Sequence, residues 1–158
     1  MTGSDVGIRQ AEAGDLEAAL GLLRRFFSEE GFVETVAGCM QDTLATILDH
    51  PDSAVLLATD SGHTIGIATT RIDRNLKFGR CGLVEHLYVL PEWRRRGVAA
   101  ELLQAASDWS SAQSCRGLLV TFPQQGKEAE SLIGYYTRRG FEQVGAHLFA
   151  RTIELDQG

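Results

Sequence analysis

The spacing of hydrophobic residues along the chain changes period several times, and each period predicts a different element. From Leu16 to Phe27 the apolar positions fall three or four residues apart, which is the spacing of an amphipathic helix. This helix is predicted to end at Gly31. A second helical pattern runs from about Val33 to Asp49 and stops before Pro51, because the residue that precedes a proline disfavours helical backbone.

Short apolar runs rich in β-branched residues predict the strands, and turn-forming residues separate them. The predicted strands are Val6–Arg9, Ala54–Ala58, Thr64–Ile72, Leu83–Val89, Gly117–Phe122, a strand that starts at Phe141–Val144, and His147–Leu155. Two later helices are predicted at about 97–112 and 127–139. The fold class is therefore α/β (α+β), with a mixed, mostly antiparallel sheet of six to seven strands flanked by about four helices.

Composition narrows the class of protein further. The chain has 158 residues, too few for two typical domains, so residues 1–158 are predicted to form a single domain. Hydrophobic residues make up 44% and charged residues 23%, which argues against a disordered or fibrous chain. The net charge of −6 disfavours a nucleic-acid partner, since phosphate backbones attract cationic surfaces. With no long apolar run and no secretion signal at its start, the chain is expected to be cytoplasmic, with no membrane partner.

Cysteine and histidine spacing gives no pattern for a disulfide framework or a metal site. The three cysteines are far apart and include no C-x-x-C pair. The four histidines include no pair at the spacing of a zinc-binding helix. We therefore expect reduced, mostly buried cysteines and no metal.

Three consecutive arginines lie where a predicted strand gives way to a predicted helix, in the segment RRRGVA at Arg94–Ala99. At such a junction the first backbone N–H groups of the helix and the positive end of its dipole bind phosphate-type anions. Gly97 and the small Ala99 and Ala100 let an anion approach the backbone closely, and the arginines add charge and forked donors. The segment matches neither the P-loop nor the dinucleotide-binding glycine pattern. A pyrophosphate site of another kind is predicted.

Two motifs, one after the other along the chain, resemble those of a known enzyme family, and the resemblance spans essentially the whole chain. Arg94-x-x-Gly97-x-Ala99, after an apolar strand and Pro91, resembles the [QR]-x-x-G-x-[GA] motif of the GNAT (Gcn5-related N-acetyltransferase) superfamily. About 40 residues further on, the segment YYTRRGF at Tyr135–Phe141 resembles that family's [FL]-Y-x-x-x-G-F. An intervening helix and strand place the two motifs in the family's element order.

The resemblance implies an acyl-CoA N-acyltransferase fold with acetyl-CoA as co-substrate and no metal. It implies that the strand ending at Val89 bulges and splays from the parallel strand at 117–122, so that a cleft opens for the pantetheine arm. The cofactor-binding residues implied by the resemblance are Leu87, Tyr88, Val89, Arg94, Arg95, Arg96, Gly97, Val98, Ala99 and Ala100.

The implied reaction is direct attack of a neutral primary amine on the acetyl thioester in a ternary complex, which needs a base, an acid and an oxyanion donor. Tyr136 is the predicted acid, because a phenol can donate a proton and this tyrosine matches the family's tyrosine near the sulfur; the alternative is a packing aromatic. Glu85 is the predicted base by its match to an acidic residue in members resembling the spermidine and spermine acetyltransferases, and burial there would favour proton transfer.

Two alternatives for the base stay open. The first alternative is that Glu85 is a solvated side chain, because the sequence does not fix which face of the strand it occupies. His86 replaces an acidic residue common in those relatives, and it is either a histidine base or a surface side chain. Another departure is Ala129, where many family members have an asparagine that contacts the cofactor, so that contact is in doubt.

The acceptor is predicted to be a primary amine of a small molecule. Acidic and aromatic residues near the end of the first helix would suit a cationic amine, although acidic helix ends are commonly just solvated; they are Phe26, Phe27, Glu29, Glu30 and Phe32. The alternatives are a protein lysine or N-terminal amine, an inactive domain that senses acyl-CoA, and a structural β-rich module. The resemblance also implies a homodimer, for which the strand at 147–155 would supply an edge.

Overall fold

Five strands form one mixed sheet in the computed structural model, which describes residues 5–31, 39–121, 127–142 and 144. The strands are β1 (Val6–Gln10), β2 (Ser53–Asp60), β3 (His63–Asn75), β4 (Gly79–Val89) and β5 (Leu118–Val120). They lie in the order β1-β2-β3-β4-β5, antiparallel except for the parallel pair β4–β5. Sequential neighbours pair because short hairpin turns join β2 to β3 and β3 to β4.

The described residues also form four α-helices: α1 (Leu16–Glu29), α2 (Cys39–Asp49), α3 (Val98–Ala112) and α4 (Lys127–Arg138). The predicted mixed fold class with about four helices is confirmed. The described sheet has five strands where the sequence predicted six to seven. Phe141 and Glu142 are not in a strand, and the predicted strand at 147–155 lies outside the described residues. The chain divides into two compact units, residues 1–121 with the sheet and residues 122–158 with α4.

Opposite faces of the sheet carry different helices. On one face Leu20 and Leu23 of α1 and Leu44 of α2 join a buried cluster that includes Leu57 and Ile67. On the other face α3 lies close to the strands, because glycines leave room for it. A Cβ at Gly66 would meet Leu102 at 3.2 Å, and one at Gly82 would overlap Ser110 Oγ. This close approach holds α3 against the strands.

Candidate active site

A β-bulge interrupts β4 at Glu85. Thr69 of β3 pairs with His86 and Thr70 pairs with Val84, so Glu85 is an extra residue on β4. A bulge re-aims side chains because two residues oppose one. Glu85 contacts Arg71, and His86 contacts the Phe27 ring of α1 at 5.2 Å. The bulge that the resemblance implied in this strand is present, and it directs two successive side chains toward the α1 face.

The parallel ladder between β4 and β5 is short. Its described pairs run from Gly82↔Leu118 to Val84↔Val120, and the Thr121 N–H donates to the Val84 carbonyl at 3.0 Å. β4 then continues for five residues, to Val89, beyond the last of these pairs. Leu87, Tyr88 and Val89, the predicted pantetheine-binding residues, all lie in this continuation.

The turn between β4 and α3 has the geometry of an anion cradle. Arg95 has φ 63° and Gly97 has φ 80°, so two of three successive residues adopt left-handed backbone. Gly97 caps α3 without a side-chain hydrogen bond, and the N–H of Glu101 is bonded to the Gly97 carbonyl at 3.1 Å. The preceding amides of Val98, Ala99 and Ala100 are therefore the uncapped first amides of the helix.

The space next to Gly97 in this turn is not filled by other parts of the described chain. A Cβ added at Gly97 would meet no protein atom of the described chain within 4 Å. Arg95, Arg96 and Gly97 are exposed, and the Arg96 guanidinium lies over the Trp93 ring at 4.9 Å. Uncapped amides, a helix dipole and exposed guanidinium groups fit a pyrophosphate.

The side chain of Arg94 contacts other protein groups and does not extend into the open space beside the turn. Its Nε donates to the Val89 carbonyl at 2.9 Å and its Nη2 donates to Glu29 Oε2 at 2.8 Å. Its guanidinium also lies over the Tyr88 ring at 5.4 Å. The sequence predicted Arg94 as a donor to the cofactor, and it gave no sign of these three contacts.

Glu85 is not buried, contrary to the expectation for a base shielded from water. Its side chain is 40% exposed and forms an ion pair with Arg71, which also contacts Asp73 at 3.3 Å. Hydrogen bonding to Glu85 raises the pKa of Arg71 although partial burial opposes it. The bulge exposes this carboxylate and brings it within reach of Arg71 across the hairpin.

His86 is partly buried rather than a fully solvated side chain. Its Nδ1 lies 2.7 Å from Thr69 Oγ1, and its ring meets those of Phe26 and Phe27 edge-on. Burial lowers the pKa of His86, and the charge of Glu85 opposes that effect only partly. The imidazole is therefore neutral at pH 7 and able to accept a proton.

This burial predicts a pH dependence of stability. Because the pKa of His86 is lower in the folded chain than its ordinary 6.5, the unfolded chain binds more protons and the free energy of unfolding falls as the pH drops below about 6.5. His86→Gln is expected to flatten the fall in melting temperature between pH 7 and pH 5. The control is His63→Gln at an exposed position. An unchanged pH slope in the His86 variant would contradict the assignment.

Tyr136 belongs to the second unit, on α4. It is 6% exposed, and its ring meets the rings of Tyr135 and Phe141 edge-on, both at 5.4 Å. Gly140 has φ 84°, and the Phe141 N–H donates to the Tyr136 carbonyl at 3.1 Å. Burial, with a smaller contribution from Tyr135, raises the pKa of Tyr136 to about 12. The phenol therefore keeps its proton through the neutral range.

Three of the residues predicted to line an acceptor groove contact side chains of β4 or of the turn after it. Phe26 packs against the Tyr88 ring at 5.7 Å, and Phe27 packs against His86. Glu29 accepts from Tyr88 and Arg94. Phe32 lies outside the described residues, and so does the side chain of Ala129.

Within 5–31, 39–121, 127–142 and 144, no three side chains of His, Cys, Asp or Glu come together as metal ligands would. None of the helices in those ranges is both long enough and apolar enough to cross a bilayer.

Comparison with known proteins gives a family match over most of the chain. Residues 18–141 match the model of the acetyltransferase (GNAT) family. The uncharacterized N-acetyltransferase YhfO of Bacillus subtilis (strain 168) is 24% identical, over 87% of this chain and 91% of that protein. The aminoglycoside N(6')-acetyltransferase type 1 of Stenotrophomonas maltophilia is 29% identical, over 75% of this chain and 76% of that protein.

Solved structures agree with the family match. The aminoglycoside N-acetyltransferase AAC(6')-Iy in complex with CoA has a TM-score of 0.75 and 25% identity, over 95% of this chain and 96% of that chain. A ribosomal-protein-alanine N-acetyltransferase from Brucella melitensis has a TM-score of 0.71 and 19% identity, over 93% of this chain and 99% of that chain, and shows the fold alone. The chain therefore belongs to the acetyltransferase (GNAT) family, which confirms the predicted acyl-CoA-dependent N-acetyltransferase.

Proposed function

We propose that the chain transfers the acetyl group of acetyl-CoA to a primary amine of a small molecule, by direct attack in a ternary complex. The observation that carries the proposal is the anion cradle, in which the left-handed Arg95 and Gly97 precede the uncapped first amides of α3. This cradle suits the pyrophosphate of CoA, and the relative AAC(6')-Iy has been solved with CoA. The amides from Arg95 to Ala100 would hold it.

The small-molecule acceptor is supported by the relatives. Two proteins with substantial coverage, one 29% and one 25% identical, carry names that specify aminoglycosides as acceptors. The ribosomal-protein acetyltransferase is similar at 19% identity, so that likeness extends to the fold and carries no argument for a protein acceptor. An aminoglycoside or another polyamine-like cation is the class we would test first.

The base is proposed to lie at the bulge of β4. Glu85 remains the first candidate, since it is half-exposed and can reach a bound amine directly or through water. His86 is the second, because it is neutral at pH 7 and lies on the same face of the sheet. Arg71 forms an ion pair with Glu85 across the hairpin and so fixes the position of the carboxylate at the bulge.

Glu85→Gln is expected to lower kcat at pH 7 by about a hundredfold, the typical loss on removal of a general base, with acetyl-CoA affinity retained. The control is Asp73→Asn, which removes the other carboxylate beside Arg71. If Glu85→Gln keeps full activity and His86→Gln loses it, the base is His86 instead.

Tyr136 is proposed to assist departure of the thiolate. With a pKa of about 12 it is a weaker acid than an ordinary thiol, whose pKa is about 8.5. It therefore acts by donating a hydrogen bond to the sulfur as negative charge develops. Since the thiolate is a weaker base than the phenolate, the phenol keeps its proton and the departing thiolate is protonated from solvent. The motif match around Gly140 and Phe141 supports this role.

Residues 1–158 are proposed to act as one domain, because the family match at 18–141 crosses the boundary between the two units. The homodimer and the cytoplasmic location stay predictions from the sequence.

The acceptor class is tested by thiol release from acetyl-CoA against a panel of amines. The panel contains aminoglycosides, linear polyamines, free amino acids, and peptides with lysine or a free N-terminus. Rapid release with a small cationic amine and none with the peptides is the expected result. Rapid release only with peptides would replace the proposal by protein acetylation, and release with no amine would indicate an acyl-CoA sensor.

A further inference from the structure

The carboxylate of Glu29 connects three elements of the first unit. The Tyr88 hydroxyl of β4 donates to Glu29 Oε1 at 2.7 Å, and Arg94 of the turn donates to Glu29 Oε2 at 2.8 Å. Arg94 in turn donates from Nε to the carbonyl of Val89, the last residue of β4. Each carboxylate oxygen thus has its own donor, one from the strand and one from the turn.

The position of Glu29 in its own helix is unfavourable. It is the last residue of α1, where the negative end of the helix dipole repels a carboxylate, and no basic residue lies in that last turn. Partial burial also works against ionisation, yet hydrogen bonds from Arg94 and Tyr88 outweigh it and lower the pKa of Glu29. The tertiary partners therefore account for most of the charge at this position, and Arg25 of α1 adds a smaller contribution.

The residue after Arg94 carries backbone strain. Arg95 has φ 63°, a left-handed region that is disfavoured for a residue other than glycine. Such strain persists only where the surrounding structure over-determines the backbone. The start of α3, where the Glu101 N–H donates to the Gly97 carbonyl, fixes one end of this segment, and the two side-chain hydrogen bonds of Arg94 fix the other.

We propose that Glu29 is a positioning residue for acetyl-CoA: by holding Arg94 on the end of β4, it fixes the path of the turn that forms the anion cradle. The inference rests on the proposed function, since it concerns the same cradle. In this arrangement Arg94 fixes the backbone of the turn through its contacts with Glu29 and the Val89 carbonyl, while Arg95 and Arg96 supply the cationic side chains.

The test measures acetyl-CoA affinity and steady-state kinetics in Glu29→Ala, Glu29→Gln, Arg94→Ala and the double variant Glu29→Ala/Arg94→Ala. Each single variant is expected to raise both Kd and KM for acetyl-CoA by about tenfold, the effect of losing one charge-assisted hydrogen bond. KM for the amine stays at the wild-type value. Because the two residues act through one contact, the double variant loses no more than about the larger single effect.

Glu17→Gln is the matched control, since it removes the same charge from the exposed first turn of the same helix. It is expected to leave Kd and KM unchanged. Melting temperatures show whether a variant still folds. A merely structural role would lower the active fraction and kcat without raising KM for acetyl-CoA, whereas a positioning role raises KM in a folded variant. Glu29→Gln preserves side-chain size, so it covers a failure of the alanine variant to fold.

The outcomes distinguish this inference from the proposed function. Failure of the wild-type chain to bind acetyl-CoA would overturn the proposed function. Normal binding by the wild type, with Glu29→Ala and Glu29→Gln binding equally tightly, would overturn the positioning role alone. Additive losses in the double variant would also contradict it, since they would mean that Arg94 binds the cofactor independently of Glu29.

Discussion

Gly97→Glu is expected to abolish binding of acetyl-CoA while the fold stays intact. A carboxylate about 4 Å from a phosphate is opposed by about 4 kcal/mol at the effective dielectric of a protein surface, which is about a thousandfold in affinity. The added side chain would also fill the open space beside the cradle, where no atom of the described residues lies within 4 Å of a Cβ at Gly97. Calorimetric titration with acetyl-CoA measures the loss.

Gly62→Glu is the matched control for this variant. Gly62 has φ 82° in the turn between β2 and β3, close to the φ 80° of Gly97, and a Cβ there also meets no described atom within 4 Å. Both variants carry a similar cost of about 1–2 kcal/mol for left-handed backbone. Only the Gly97 variant should lose acetyl-CoA. Unchanged affinity in Gly97→Glu would show that the turn does not hold the pyrophosphate.

Tyr136→Phe is expected to lower kcat by about a hundredfold and to leave acetyl-CoA affinity nearly unchanged. The substitution removes only the hydroxyl, and loss of one hydrogen-bond donor to developing negative charge typically costs about a hundredfold to a thousandfold. Since the pKa of Tyr136 is raised to about 12 by burial, its protonation does not limit turnover between pH 7 and pH 10. Rapid-quench measurement of the acetyl-transfer step reports the change without the contribution of product release.

Tyr135→Phe serves as the control for Tyr136. Tyr135 is the adjacent residue on α4, and its ring carries the Arg139 guanidinium at 3.4 Å, a contact that a phenylalanine ring can keep. This variant should retain most of the wild-type kcat. Full activity in Tyr136→Phe, or equal losses in both variants, would remove Tyr136 from the catalytic role.

The helices and the cradle could be predicted from the sequence because their signals are local. The apolar spacing from Leu16 to Phe27 predicted α1, which ends at Glu29. The strand end, the glycine at position 97 and the small residues after it are adjacent in sequence, so the turn geometry that suits an anion could be expected from the segment itself. The burial that raises the pKa of Tyr136 depends on packing, which no local pattern reports.

The contacts that shape the site could not be predicted, because they join distant residues. Glu29 is 59 positions from Tyr88 and 65 positions from Arg94. The bulge at Glu85 depends on the register with β3, and a shift of one residue reverses which face each side chain occupies. That shift gives Glu85 a partner in Arg71 and places His86 among the rings of α1. The sequence could therefore name both base candidates without separating them.

Acetyl transfer from acetyl-CoA to a small-molecule amine releases one CoA thiol for each N-acetylated amine that forms. Both products can be counted in the same reaction of the purified chain with an aminoglycoside or polyamine that the panel identifies. We expect equal amounts of the two products, with neither formed when the amine is omitted. Thiol release without acetylated amine, or binding of acetyl-CoA with no turnover of any amine, would contradict the proposed transfer.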